Sequence, residues 1–172
     1  MRRRQVIPTA SFINMSDTVL DGHRDATRQS DIVRRYHRSP NRSPSSQERP
    51  MIAHTSLPVS NYPRAKRYYS AVLQPLGYTN NMEYGESAGF NDGKNTDFWI
   101  THRKVIVPLH LAFEARSSSE VKAFHAAALA AGGRDNGAPG YRDYWPGYYA
   151  AFVYDPDGHN IEAVWYDYSK VK

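Results

Sequence analysis

The chain has 172 residues, a length that suits one domain with an appended segment. Hydrophobic residues make up 40% of the chain, which is enough to build a sizeable core. It contains no cysteine, and this excludes a disulfide framework, a thiolate metal site and a cysteine nucleophile. No apolar run reaches the roughly 18–20 residues that a membrane-spanning helix needs, so we expect a soluble, cytoplasmic protein without a membrane partner.

The positive charge of the chain is confined to its N-terminal segment. The formal net charge is +5, and residues 1–50 contain ten arginines and five acidic residues, so residues 51–172 are neutral overall. A nucleic-acid-binding domain is expected to carry a basic excess on its folded part. The charge distribution therefore argues against a nucleic-acid partner.

Residues 1–50 show neither the periodicity of a helix nor that of a strand, and they end in a run rich in Ser, Pro and Arg. Such a segment buries too little apolar surface to offset the entropy lost on ordering, so we expect a disordered leader. Two alternatives stay open. The arginines at positions 2–4 are typical of a mitochondrial transit peptide, although the acidic residues of the segment oppose it, and translation from Met51 would remove the segment altogether.

Two segments of the chain each have the pattern of a short strand followed by a helix. In the first, residues 53–57 precede a helix with Pro63 in its opening turn and Gly77 at its end. In the second, residues 109–113 precede a helix that begins with capping-box spacing at 117–120 and stops at Gly132-Gly133. The apolar stripes at helical spacing are Ala65, Tyr68, Tyr69, Val72, Leu73 and Leu76, and Val121, Phe124, Ala128 and Leu129.

Each segment ends in the same short motif. The pattern Asp-Gly-x-Asn-x-carboxylate occurs at residues 92–97 and again at residues 157–162. An Asp-Gly step is typical of a hairpin turn, so each carboxylate should lie just inside the strand that follows it. The chain is therefore predicted to contain two strand–helix–three-strand modules, module one at residues 51–104 and module two at residues 107–170.

Module two holds nine extra residues, because the first-strand histidines are 56 residues apart and the carboxylates 65. The surplus is most simply placed in the Gly-, Pro- and Tyr-rich stretch 134–148, which is predicted to be a mobile loop covering the site. Trp99, on the strand of Asp97, should border the same cleft. The residues predicted to contact substrate are Trp99, Tyr144, Trp145, Tyr148 and Tyr149.

Each module offers a histidine in its first strand and a carboxylate in its last strand. If the modules pair, His54, His110 and Glu162 converge on one cleft, where imidazole and carboxylate suit a divalent Zn, Ni, Fe or Mn ion. We predict these three residues as metal ligands. Asp97 is one methylene shorter than a glutamate, so it is either a fourth ligand or base, or only a hydrogen-bond partner of a ligand or a turn cap.

From Met51 to about Tyr168 the sequence resembles the vicinal-oxygen-chelate superfamily of glyoxalases, bleomycin-resistance proteins and dioxygenases. Residues 149–162 are similar to the final hairpin of these proteins and residues 51–60 to their first strand. The resemblance implies an α+β domain at residues 51–170 built from two paired βαβββ modules, with His54, His110 and Glu162 at the ligand positions. Asp97 stands where lactoylglutathione lyases have glutamate, which favours three ligands over four.

These observations predict a metal-dependent enzyme of the glyoxalase type, a lyase or isomerase whose small substrate chelates through two adjacent oxygens, with Asp97 and Glu162 as catalytic carboxylates. One alternative is an Fe²⁺ ring-cleaving dioxygenase of the extradiol type, with Tyr144, Tyr148 or His159 as its acid–base residue. The other is a metal-free protein that binds or sequesters a small molecule. Pairing of the modules within one chain, or across a homodimer, stays open.

Removal of residues 1–50 tests the prediction of a disordered leader. A chain that begins at Met51 should keep the full thermal stability of the intact protein, because a disordered segment contributes no packing. Scanning calorimetry of both chains makes the comparison. A melting temperature several degrees lower for the shorter chain would show that the leader packs on the domain.

Overall fold

The computed structural model describes residues 52–171, and the predicted disorder of residues 1–50 concerns a part of the chain outside that range. The described residues form two βαβββ modules, which confirms the α+β architecture expected from the sequence. Within that range, no helix has the length and apolar character needed to cross a membrane.

Module one is a four-stranded sheet covered by one helix. Its elements are β1 (Thr55–Val59), α1 (Tyr62–Leu73), a 3-10 turn (Gln74–Leu76), β2 (Thr79–Tyr84), β3 (Ser87–Asn91) and β4 (Thr96–His102). The strand order is β1-β4-β3-β2, with β1 parallel to β4 and the other neighbours antiparallel.

Module two repeats this arrangement. Its elements are β5 (His110–Glu114), α2 (Ser118–Ala130), β6 (Arg134–Tyr141), β7 (Tyr148–Tyr154), β8 (Asn160–Tyr166) and a 3-10 turn (Tyr168–Lys170). The strand order is β5-β8-β7-β6, again with the first strand parallel to the last and the other neighbours antiparallel.

Both helices begin at a polar cap. The Asn61 side chain accepts a hydrogen bond from the Arg64 amide at 3.0 Å, and the Ser117 hydroxyl accepts one from the Glu120 amide at 3.3 Å. These bonds satisfy amides that have no partner inside the helix. The predicted apolar stripes are buried except for Leu129, which is 39% exposed because it lies about 100° round the helix from the buried Ala128.

One apolar core runs through both modules. Phe113 of β5 makes edge-to-face contacts with Tyr78 and Phe98 of module one, at centroid distances of 5.6 and 5.1 Å. The two helices also pack against each other. The modules are therefore joined within a single chain by a shared hydrophobic surface, which is the dominant stabilising contribution to such a contact.

The turn between β7 and β8 docks on the start of module one. The His159 ring is completely buried; its Nε2 donates to the Pro58 carbonyl at 2.8 Å, and its Nδ1 accepts from the Leu109 amide at 3.2 Å. A backbone amide can only donate, so Nδ1 is unprotonated and the ring is neutral. Beside it, the buried Tyr69 hydroxyl donates to Asp155 at 2.7 Å. This turn therefore links β1, α1 and β5.

The prediction of a mobile loop at 134–148 was wrong for residues 134–141, which form strand β6. β6 is the edge strand of its sheet, and its register against β7 shifts between Asp135 and Gly137 and again between Gly137 and Gly140. Such bulges absorb extra residues, and an edge strand tolerates Pro139 because one side of it needs no ladder bonds. The surplus residues thus lengthen a hairpin, and only residues 142–147 connect its strands.

The role of His159 in joining the modules can be tested by removing its ring. His159→Ala should lower the free energy of unfolding by about 3 kcal/mol, because it leaves a cavity in place of a fully buried ring and removes the partner of two half-buried backbone groups. His102→Ala is the control, since His102 makes only an exposed pair with Glu86 and its loss should cost under about 1 kcal/mol. Urea denaturation measures both, and equal losses would contradict the assignment.

Candidate functional site

The best-formed polar cluster of the fold lies on the face of the module-two sheet that points away from α2. His110, at the start of β5, places Nε2 3.1 Å from Oε2 of Glu162 in β8. The Glu162 side chain is 3% exposed, whereas the His110 side chain is 51% exposed. The Glu162 carboxylate is therefore buried, and the His110 imidazole next to it is open to solvent.

The hydrogen bonding of His110 determines what can lie between the two side chains. Nδ1 of His110 lies 3.1 Å from the carbonyl oxygen of Asn160, which can only accept, so Nδ1 carries the hydrogen. In a neutral ring Nε2 is then a lone pair that faces a carboxylate oxygen. Two acceptors at this distance repel each other unless a cation, either a proton or a metal ion, lies between them. A backbone carbonyl on the remote nitrogen is also the usual way in which a metal-binding histidine is oriented.

Tyr148 completes the polar cluster from β7. Its hydroxyl donates to the other carboxylate oxygen of Glu162 at 2.5 Å. Burial raises the pKa of Glu162, and the Tyr148 hydrogen bond, the charge of His110 and the charge of Arg142 partly lower it again. Burial and the neighbouring carboxylate raise the pKa of Tyr148, so its hydroxyl stays protonated as a hydrogen-bond donor.

Several predicted substrate-contacting aromatics surround this cluster. Tyr144 packs edge to face on Tyr148 at 5.4 Å and is 69% exposed. Trp145 packs on Tyr166 at 5.9 Å, and Tyr166 in turn packs on Tyr148 at 5.5 Å. Of these three predicted residues, Tyr148 therefore contacts the Glu162 carboxylate directly, Tyr144 is one ring away and Trp145 is two rings away.

Tyr149 and Trp99 lie elsewhere. Successive residues of a strand point to opposite faces, so Tyr149 is turned from Tyr148 into the core, where it contacts Tyr141 and Trp165. Trp99 is in module one, where its indole covers Gly89 so closely that a Cβ there would lie 2.9 Å from the ring. The structure thus gives neither residue a contact with the His110–Glu162 pair.

The module-one ligands predicted from the sequence do not join that pair. His54 is exposed and directly precedes β1, next to the β1–β4 register pair of Thr55 and Phe98. Asp97, in β4, accepts a 3.4 Å hydrogen bond from the Tyr78 hydroxyl, while its other carboxylate oxygen is buried without a partner. Burial, and secondarily the charge of Asp92, raise the pKa of Asp97. Among residues 52–171, no three His, Cys, Asp or Glu side chains form a group that could hold a metal ion.

The two carboxylates differ by two residues in their position along the pairing of the last strand with the first strand of each module. Glu162 is paired with Ala112 of β5, and the corresponding Ser56 of β1 is paired with Trp99, not Asp97. The β3–β4 pairing also shifts here, since Phe90 pairs with Phe98 and Asn91 with Thr96, which leaves Asp97 as an extra residue of β4. The repeated motif therefore places both carboxylates early in a strand, but only Glu162 lies within reach of His110.

The connection at residues 142–147 is anchored rather than free. The Asp167 amide donates to the Gly147 carbonyl at 2.8 Å, and a Cβ at Gly147, whose φ is +82°, would lie 2.2 Å from the Asp167 carbonyl oxygen. The aromatic contact of Trp145 with Tyr166 holds the same turn. His159, which the dioxygenase alternative named as an acid–base residue, lies in the buried contact between the modules and not in this cluster.

Two members of the site were missed by the sequence analysis. Phe152 is the cross-strand partner of Glu162, and its ring lies 6.3 Å from the His110 ring. Arg142 lies 5.5 Å from the Phe152 ring and acts electrostatically on Glu162. A signal for Phe152 was available, because it shares the alternation of Tyr148 along β7, but the pairing that selects it is a property of the folded sheet.

Comparison with known proteins gives a consistent result. Residues 51–163 match the family described as the Glyoxalase/Bleomycin resistance protein/Dioxygenase superfamily. A solved glyoxalase/bleomycin resistance protein from Albidiferax ferrireducens is 30% identical, with a TM-score of 0.60 over 67% of this chain and 98% of that one. No curated protein matches the sequence.

Two more distant solved structures share the fold. A glyoxalase-related enzyme from Fulvimarina pelagi is 20% identical, with a TM-score of 0.54 over 67% of this chain and 87% of that one. A fosfomycin resistance protein from Mesorhizobium loti is 16% identical, with a TM-score of 0.52 over 69% and 92%.

The hydrogen bond from Tyr148 should hold Glu162 in its ionised form. Tyr148→Phe removes a donor that favours the carboxylate, so the pKa of Glu162 should rise further above its ordinary value. Carbon-13 NMR titration of the metal-free protein measures it. Tyr166→Phe is the control, since among the hydrogen bonds of residues 52–171 none joins the Tyr166 hydroxyl to Glu162. A Glu162 pKa unchanged by Tyr148→Phe would contradict the role.

Proposed function

Since this chain belongs to the glyoxalase/bleomycin resistance/dioxygenase superfamily, we propose that it is a metal-dependent enzyme of the glyoxalase type, a lyase or isomerase. Its substrate is a small molecule that chelates through two adjacent oxygens. The observation that carries the proposal is the His110–Glu162 pair, with Nδ1 of His110 held by a carbonyl and Nε2 facing a carboxylate oxygen. This donor set suits a borderline divalent ion such as Zn²⁺, Ni²⁺, Fe²⁺ or Mn²⁺.

The residues of module two have separate roles in this proposal. His110 and Glu162 hold the metal, which when bound supplies Lewis-acid stabilisation of negative charge on the substrate oxygens. Tyr148 keeps Glu162 ionised and oriented. The aromatic rings of Tyr144 and Trp145 limit the access of water to the reacting atoms.

Two protein ligands leave the metal site incomplete, and we propose that a homodimer supplies the rest. His54 is exposed, has imidazole nitrogens that can coordinate a metal and belongs to the other module, so it is available to a second copy of the chain. Asp97 is kept as a fourth ligand or base, because one of its carboxylate oxygens is buried without a partner. We propose further a cytoplasmic protein that has no nucleic-acid or membrane partner, since the charge of residues 51–172 is balanced.

Two other functions each have one observation in their favour. Tyr148 beside Glu162 offers a phenolic proton donor next to a proposed ligand, which suits an Fe²⁺ ring-cleaving dioxygenase of the extradiol type. The lack of a third converging ligand among residues 52–171 favours a metal-free binding protein that uses the aromatic rings alone. Oxygen consumption separates the first of these from a lyase, and metal content separates the second.

Metal analysis tests the central proposal. The purified protein should contain about one divalent ion per chain, and His110→Ala should lose most of it, because one ligand and the orientation of Glu162 disappear together. His125→Ala is the matched control, since His125 pairs with Asp135 beside α2, away from the cluster.

Further variants address the dimer. If His54 of a second copy completes the site, a mixture of His54→Ala and His110→Ala chains should recover part of the metal that each variant lacks alone. Equal metal in wild type and His110→Ala, or none in the reconstituted wild type, would favour the metal-free binding protein.

A further inference from the structure

Arg142 follows the last residue of β6 and folds back over that strand. Its Nη2 donates to the Ala138 carbonyl at 2.5 Å and its Nη1 to the Tyr141 carbonyl at 3.5 Å. Its Cζ lies 5.5 Å from the centroid of the Phe152 ring. The guanidinium is thus held in one place by backbone oxygens and an aromatic ring, at a half-buried position.

Two glycines make room for this guanidinium. A Cβ built on Gly137 would lie 3.4 Å from Nη2 of Arg142, and a Cβ on Gly140 would lie 3.2 Å from Nη1. The second distance is tighter than an ordinary van der Waals contact, and at Gly137 a φ of +150° disfavours any other residue as well. The glycines that favoured the prediction of a loop therefore leave room for the Arg142 guanidinium on the sheet.

Strand register puts Arg142 on the same face as the proposed metal ligands. Gly137 pairs with Phe152, Phe152 with Glu162, and Glu162 with Ala112. Paired residues lie on the same face of a sheet, and neighbouring strands are about 4.8 Å apart. The guanidinium over Gly137 is therefore separated from the Glu162 strand by the width of one residue, Phe152, or roughly two strand spacings.

The charge of Arg142 acts on the Glu162 carboxylate from a distance, without contact. Arg64 pairs with Asp157 and Arg116 with Glu120, but among residues 52–171 no ion pair includes Arg142. A guanidinium has five N–H donors, and two carbonyl contacts leave others free. A half-buried cation that is held by neutral groups keeps its full charge available to a ligand anion.

We propose that Arg142 binds an anionic group of the substrate, a carboxylate or similar oxyanion. The two adjacent oxygens of the same molecule would then lie on the other side of the Phe152 ring, at the metal held by His110 and Glu162. The substrate class is then a small acid with its two adjacent oxygens about one ring width from its carboxylate. A planar guanidinium matches a carboxylate through two parallel hydrogen bonds, which gives the contact its specificity. This inference rests on the proposed function, because the adjacent oxygens are assigned to the metal site.

Three probes separate the two parts of the proposed site. Catechol carries two adjacent oxygens without an anion, benzoate carries the anion alone, and 3,4-dihydroxybenzoate carries both across one benzene ring. Isothermal titration calorimetry is performed on the metal-containing protein, on Arg142→Gln and on Lys122→Gln. The last variant removes the same charge from the exposed surface of α2.

The wild type should bind 3,4-dihydroxybenzoate about tenfold more tightly than catechol, and Arg142→Gln should bind the two probes with similar affinity, because only the first carries the anion that Arg142 recognises. Benzoate should weaken by a similar factor in Arg142→Gln, and Lys122→Gln should behave as the wild type. If benzoate and 3,4-dihydroxybenzoate each bind wild type and Arg142→Gln with equal affinity, the role of Arg142 is overturned. The metal site still stands if catechol binds. If catechol fails to bind but benzoate still depends on Arg142, the anion site stands and the proposed function falls. If no probe binds, both are overturned.

Discussion

The docked turn between β7 and β8 is the constraint on which the rest of the structure depends. Asp155 accepts hydrogen bonds from the Tyr69 hydroxyl of α1 and from two amides of its own turn, those of Asp157 and His159. His159 then bonds to both first strands, through Pro58 and Leu109. Because β8 begins at the next residue, Asn160, the same contacts that join the modules also fix the carbonyl that orients His110 and the strand that carries Glu162.

The chemistry of the site follows from burying one carboxylate, that of Glu162, beside the exposed imidazole of His110. Burial raises the pKa of Glu162, and each neighbour partly lowers it again: Tyr148 by a hydrogen bond, His110 by its charge and a hydrogen bond, and Arg142 by its charge. The donors around Glu162 stabilise its charged form, which is the form that a metal ligand must adopt. At the proposed metal site, a proton and a metal ion would therefore compete for the Glu162 carboxylate.

The edge strand β6 shows how composition can mislead. Glycines and a proline normally indicate a loop, since glycine adds backbone freedom and proline removes a donor. At the edge of this sheet the bulges accept Pro139, and the glycines leave open the volume that the Arg142 guanidinium occupies. The same residues that weaken a strand prediction allow a charged side chain to lie flat on the sheet, which a strand of ordinary residues would prevent.

The sequence alone determined the duplicated βαβββ plan, because its signals are local. Asn61 and Ser117 cap the helices, the apolar stripe of α1 is buried, and each Asp-Gly turn leads into a strand that carries a carboxylate. Tertiary structure decided which carboxylate joins a histidine. An offset of two residues in the pairing of β4 with β1 puts Trp99 where symmetry would place the counterpart of Glu162, and no local signal encodes a register that depends on cross-strand packing. Arg142 was hidden for the same reason, since its neighbours Phe152 and Glu162 become adjacent only when three strands align.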